Sequence, residues 1–366
     1  MVKKKEKKAL QEKAQMSVLA LNWKIVELGE NAEMLNETLK KVQEHFDKIR
    51  NVPSEYRVKY NHAKEVRLDW IKHTEKIEKE YDNACKGGIG GGSAGVGVGV
   101  AVAALGPTAA MGVATTFGVA STGTAISSLS GAAATNAALA WLGGGALAAG
   151  GGGMAAGNAL LALAGPVGWA IAGVGLLASG ITLIVVKQDQ IRLENVFAQI
   201  NKRDIKSHER AIVEINERVK RANEERIMLE EGLRKLEEYG FDYSAMTEEQ
   251  QYELGVYVNL MSASTALLTE PILDLQPKYF DSDFEKYLSI MYRDVYPEEY
   301  EKNKDVIVYL ANLLYRIEAD EKDLELIGKS MKSNKAFLKA LKINKREFNA
   351  DYLRVARDAV QFKYVQ

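Results

Sequence analysis

The side chains that most often carry chemistry are sparse in this sequence and poorly spaced for it. Cys85 is the sole cysteine, so neither a disulfide framework nor a thiolate metal cluster is expected. His45, His62, His73 and His208 show no metal-ligand spacing. Gly90-Gly-Gly-Ser-Ala-Gly95 spells a dinucleotide-binding G-x-G-x-x-G. It follows a charged helical stretch rather than a strand, and the next acid is Asp189, so the context for such a site is missing. No glycine-rich run leads into Lys-Ser or Lys-Thr, which excludes a phosphate loop. Asp281-Ser-Asp283-Phe-Glu285 begins like a calcium loop, but Lys286 stands where that loop needs glycine. Nothing aligns a Ser, a His and an Asp as a triad. No enzyme activity and no cofactor are expected.

The residues whose spacing does suggest chemistry are small ones. Residues 87–186, one hundred positions, contain no Asp, Glu, Lys, Arg or His, and they hold 26 of the chain's 31 glycines. About a quarter of an ordinary globular sequence is charged. Gly87, Gly91, Gly95 and Gly99 recur every four residues, followed by Ala103. On a helix that spacing makes one smooth face, along which two backbones can approach closely in lipid. Residues 166–186 run from Pro166 to Val186 without a charge and end at Lys187. About 20 apolar residues cross the hydrocarbon core as a helix, and Trp169 near the start suits an interfacial position. This stretch is the foremost transmembrane candidate; a fully buried helix in a soluble head is the alternative. Gly143–Gly145 and Gly150–Gly153 are helix-breaking clusters, and Gly106-Pro107 and Gly165-Pro166 mark turns or kinks. The composition predicts several short helices, weakly hydrophobic overall, suited to conditional insertion. Gly87, Gly91, Gly95, Gly99, Trp141, Gly165, Pro166, Trp169 and Gly173 are the candidate residues for insertion and helix packing.

Two long helices must position this segment. Val18, Ile25, Ala32, Leu39 and Phe46 fall seven apart, with Leu21, Leu28, Leu35, Val42 and Ile49 as the second register. Pro53 interrupts the pattern, which resumes at Tyr56, Ala63, Trp70, Ile77 and Ala84. After the uncharged segment, Ile191, Ala198, Ile205, Ile212, Val219 and Leu233 form one register, broken by Arg226. Ile215, Ala222, Leu229 and Leu236 form the other, which is polar earlier at Glu194, Asn201 and His208. The economical arrangement is all-α. An antiparallel coiled-coil stalk (arms 1–86 and 187–240) carries the Gly/Ala-rich hydrophobic helical segment 87–186 at its tip, and residues 241–366 form a C-terminal helical domain. A compact bundle of the arms with the C-terminal helices is the alternative.

One element of the C-terminal region is unusual. Lys332, Lys335, Lys339, Lys342 and Arg346 step by three and four, and no acid lies between Glu325 and Glu347. A basic amphipathic helix of this kind can lie on anionic lipid, at about 1 kcal/mol per basic side chain near the surface; a solvated face of a packed helix is the alternative. With a net charge of −1 and no nucleic-acid fold signature, no nucleic-acid partner is expected. The start, Met1-Val-Lys-Lys-Lys, has no apolar run of signal-peptide length after it. Synthesis in the cytoplasm without a signal peptide is expected, with membrane association on activation.

Two long helical arms around an uncharged insert, including Asn136-Ala-Ala-Leu-Ala-Trp-Leu-Gly-Gly-Gly-Ala-Leu-Ala-Ala-Gly-Gly-Gly-Gly-Met154, resemble in layout the α-helical pore-forming toxins of the cytolysin A and hemolysin BL type. The layout is also similar to that of apolipoprotein L. The resemblance covers residues 1–240, and it implies storage of a hydrophobic hairpin that inserts as the protein oligomerises. It carries no signature motif, so it transfers no functional residue. The expected function is membrane insertion with pore formation or permeabilisation by a homo-oligomer, the lipid bilayer being the partner. A constitutive membrane-anchored coiled-coil scaffold is the other reading.

Overall fold

The computed structural model describes residues 2–86, 187–270, 272–275, 278–292, 298–333, 338 and 345–365. Among these the chain is all-α, with no strand and one isolated bridge between Arg50 and Asp242. The helices are α1 (Val2–Phe46), α2 (Ser54–Lys86), α3 (Lys187–Tyr239), α4 (Glu248–Thr269), α5 (Asp281–Met291), α6 (Glu298–Lys302), α7 (Lys304–Leu314), α8 (Glu321–Ser333) and α9 (Asp351–Val365). At about 1.5 Å per residue, α3 alone reaches roughly 80 Å.

The heptad of α1 is its buried face. Leu21, Ile25, Leu28, Ala32, Leu35, Leu39, Val42 and Phe46 are all buried, as is Ile49 just beyond. The Val18 side chain lies outside the described residues. Covering this stripe is what makes so long a helix stable in water. Its cover comes from three helices. Residues 32–49 share one core with Tyr60 and Trp70 of α2, with Ala222, Leu229 and Leu236 of α3, and with Leu254, Val258, Met261 and Leu268 of α4.

The directions of these helices follow from their polar contacts. Lys13 pairs with Glu209 at 3.1 Å, and Thr38 donates to Glu230 at 3.4 Å. Arg50 exchanges backbone bonds with Phe241 and Tyr243. Residue numbers rise together, so α1 and α3 run parallel. This corrects the antiparallel pairing expected of the two arms. The cause is the turn at Asn51–Pro53: Pro53 cannot continue the helix, and Asn51 takes a left-handed φ of 59°, which asparagine tolerates better than most residues. The chain doubles back, so that Tyr60 meets Gln43 and Asp47 while Arg67 meets Asn36. It is therefore α2 that runs antiparallel to α3. After α3, Gly240 at φ 75° supplies the left-handed residue that ends the helix. Thr247 and Gln250 then start α4 with a reciprocal capping box. α4 descends along α3, with Lys235 on Glu253 and Ser264 on Glu225. Gly255 lets α4 approach α2: a Cβ there would sit 2.7 Å from the Tyr56 ring. The result is an up-down-up-down four-helix bundle.

The packing ignores the expected boundary at residue 240. α4 belongs to the bundle core, as in the compact-bundle alternative. In the other direction, Leu193, Val196, Phe197 and Ile200 of α3 leave the arm and join a second core with α5, α7, α8 and α9. That core contains Tyr279, Phe284, Ile307, Leu310, Leu353 and Ala356, all almost fully buried. The buried face of α3 also takes in its polar positions. The seven-residue series that is buried throughout is Asn201, His208, Ile215, Ala222, Leu229 and Leu236, whereas Ile191 of the other series is 46% exposed. Between two cores the first half of α3 must bury a wide face, and it does so with polar residues included.

Candidate functional site

The candidate insertion residues Gly87, Gly91, Gly95, Gly99, Trp141, Gly165, Pro166, Trp169 and Gly173 lie outside the described residues, as does the whole span 87–186. The helices that flank it are described. Because α2 and α3 are antiparallel, the C-terminal end of α2 and the N-terminal end of α3 point to the same end of the bundle. Both boundaries of the uncharged segment are held at that end. The opposite end is closed by the joined turns: Arg50 N–H donates to Phe241 O at 2.9 Å, and Asn51 Nδ2 donates to Asp242 Oδ1 at 3.0 Å.

At the segment-bearing end, α3 is gripped by the C-terminal module. Arg192 Nε donates to Asp323 Oδ1 at 2.9 Å, and its guanidinium also contacts Asp320. These two acids cap α8 reciprocally: Asp320 Oδ1 accepts from Asp323 N–H, and Asp323 Oδ2 accepts from Asp320 N–H. The Asp323 N–H first, and Arg192 next, hold the Asp320 carboxyl below the usual carboxylate range. Arg192 thus ties the first turns of α3 to the start of α8.

Further along α3, Arg203 reaches the C-terminal end of α7. Its Nη1 donates to Leu313 O at 2.8 Å and Tyr315 O at 2.6 Å, with Asn312 O at 3.3 Å. A helix end leaves its last carbonyls without helical partners, and a cation there also meets the negative end of the macrodipole. Asn312, buried, completes the joint: its Oδ1 accepts from the N–H groups of Lys278 and Tyr279, and its Nδ2 donates to Tyr279 O at 2.7 Å.

Beside this joint lies a cleft of about 620 Å³ between α3, the 273–275 turn and the end of α7. Lys202, Lys206, Arg210, Lys278 and Arg316 line it together with Asp274. Arg210 is matched by Asp274 at 3.0 Å. None of Lys202, Lys206, Lys278 and Arg316 has a carboxylate within ion-pair distance among the described residues. Lys278 donates instead to Leu273 O at 3.0 Å. Burial is the main force lowering its ammonium below the ordinary lysine range; Asp274 opposes this, while Arg210 and Arg316 add to it. Sequence reasoning missed this site. Its members come from stretches far apart in the chain, 202–210 against 274–316, and the one signal was the polar break at Asn201 and His208.

Of the basic run in the C-terminal region, Lys332 lies half-buried in the last turn of α8, and Arg346 is exposed in the turn at 345–347. Arg346 therefore does not continue a helical basic face, which corrects that part of the expectation. Lys335, Lys339 and Lys342 lie outside the described residues. Among the described residues no group of His, Cys, Asp and Glu is placed to hold a metal ion, and no helix is long and apolar enough to cross a membrane. No family model, curated protein or solved structure matches the chain.

Proposed function

We propose that this protein puts residues 87–186 into a lipid bilayer and permeabilises it as a homo-oligomer. The observation that carries the proposal is the run of one hundred uncharged positions. At about 20 residues per crossing, that length suffices for two or four helical spans with their turns. The parallel course of α1 and α3 and the reversal in α2 support an even number. Both boundaries of the segment leave one end of the bundle, so its two flanks stay on one side of the membrane. In this reading the bundle is the stalk, the uncharged segment the head, and the C-terminal module a clasp on α3 at the segment-bearing end. Close packing of the Gly87, Gly91, Gly95 and Gly99 face holds the assembled spans together. Membrane association then follows activation rather than synthesis.

Dye release from sealed vesicles tests this. The full chain should release dye. A variant with 87–186 replaced by a short linker should keep its helical circular dichroism and release none. Equal release by that variant would refute the proposal, because it would place the activity in the bundle or the C-terminal module.

A further inference from the structure

Among the described residues, the cleft beside the Arg203 joint gathers more cations than carboxylates. In the cleft beside the Arg203 joint, the carboxylates are already matched: Asp274 by Arg210, and Asp204 by Arg203 at 2.8 Å. The remaining cations come from two separate stretches of chain, Lys202 and Lys206 on α3 against Lys278 and Arg316 in the C-terminal module. Gathering like charges in a concavity is unfavourable unless something of opposite sign fills it. The backbone places one of these cations. Arg316 holds φ at 57°, a left-handed conformation that a side chain of this type rarely adopts. It ends α7, with Ile317 N–H donating back to Leu314 O at 2.9 Å, so the turn fixes where the Arg316 side chain leaves the backbone. Arg316 is presented with its guanidinium 5.1 Å from the Tyr315 ring centroid, which orients the planar donor fork.

We propose that this cleft binds a phosphate-bearing anion, with Lys278 and Arg316 as its main ligands and Lys202 and Lys206 at the rim. The chemistry selects phosphate over a single carboxylate. Four unmatched cations call for more than one negative charge. A guanidinium fork beside an ammonium is the usual pairing for a phosphoryl group's several oxygens, and Tyr315 adds a neutral hydroxyl to the lining. The volume falls in the range of small-ligand pockets. Because the cations come from both α3 and the C-terminal module, a bound anion bridges the two and tightens the clasp. The proposal does not depend on membrane insertion, and the phosphate can be that of a soluble compound or of a lipid headgroup.

Thermal unfolding with added pyrophosphate tests it on the full chain. Ligand that binds only the folded state raises the midpoint with concentration. Wild type should show a saturable rise that potassium chloride at matched ionic strength does not reproduce. Two variants separate site from fold. Lys278→Gln removes the half-buried ammonium. Arg316→Gly removes the fork and places glycine where φ is positive, so without ligand it should melt no lower than wild type. Each should bind pyrophosphate at least tenfold more weakly, the lower bound for a hydrogen bond to a charged group. A parallel arm measures the full chain on phosphatidylcholine vesicles with and without phosphatidylinositol 4-phosphate. A preference for the phosphorylated lipid that both variants lose assigns the anion to a headgroup. A pyrophosphate response without that preference assigns it to a soluble compound. Either result supports the site. No response in either arm, or responses in both variants equal to wild type, would overturn it, whether or not the chain permeabilises membranes.

Discussion

Replacing Arg203 by methionine should loosen the C-terminal module while leaving the bundle intact. Methionine keeps an apolar stem of similar reach, so the change isolates the guanidinium. Arg203 is 15% exposed at its side chain. Its bonds of 2.6 and 2.8 Å to Tyr315 O and Leu313 O each join a charged donor to a carbonyl at a helix end, and its Nε donates at 2.8 Å to buried Asp204 on α3 itself, a pair whose loss adds to the destabilisation without crossing to α7. Such bonds contribute about 1.5–3 kcal/mol each. The two share one nitrogen, and water can reach part of the vacated site, so we expect a loss of about 3 kcal/mol rather than the full sum. The assay is hydrogen exchange by mass spectrometry under native conditions, which reports local opening. Peptides from α7 should exchange roughly a hundredfold faster, since about 1.4 kcal/mol corresponds to a factor of ten. Peptides covering residues 32–46 of α1, in the other core, should be unchanged. Unaltered exchange in α7 would refute the role given to Arg203. Equal acceleration in α1 would refute the division into two cores joined by α3.

Three further outcomes follow from the same geometry. Gly95→Leu adds a bulky side chain to the small-residue face while raising helix propensity and apolar area; vesicle binding should persist while leakage and oligomers are lost, and full leakage would eliminate the close-packing mechanism. Gly240→Ala, at φ 75°, should lower stability by about 1 kcal/mol through left-handed strain alone, since open space surrounds the site; an unchanged urea midpoint would contradict this. His45 is held below its ordinary pKa chiefly by burial, with Lys48 adding to that effect and the Leu236 backbone and Glu237 opposing it. The unfolded imidazole takes up its proton near pH 6.5 while the folded one resists, so stability should fall as pH drops through about 6.5. His45→Leu should flatten that part of the urea-midpoint profile, and an equal slope in both proteins would remove His45 as the cause.

Part of this architecture was legible in the sequence. The α1 stripe from Leu21 to Ile49 is apolar at every heptad position, so periodicity alone identified its buried face. On α3 the same method found the second series broken at its N-terminal half, where it is in fact buried. Asn201 and His208 are buried at 1% and 2% exposure, and polar residues break an apolar count even when they face a core. His208 is accommodated because its Nδ1 lies 2.9 Å from Ser17 Oγ, a partner 191 positions away that no local pattern discloses. Direction was equally hidden. Pro53 was visible as a break, but a break does not say whether the chain continues or reverses. The left-handed Asn51 and the backbone exchange between Arg50 and Phe241 decide it. A helix of 53 residues is long enough to serve two cores, so no change of composition marks where one ends. The basic cleft was illegible because its cations reach one surface only when the 273–275 turn and the end of α7 pack on α3.

The central claim, that residues 87–186 enter lipid, is tested most directly by a probe inside that segment. Cys85 is the sole cysteine, so Cys85→Ser with Ser179→Cys gives one labelling site near the middle of 166–186. An environment-sensitive fluorophore attached there should shift to the blue and gain intensity when vesicles are added. Nitroxides placed deep on the lipid acyl chains should quench it, and soluble iodide should not. A label that stays accessible to iodide and untouched by lipid-borne nitroxides, under conditions where the chain releases vesicle contents, would contradict the account.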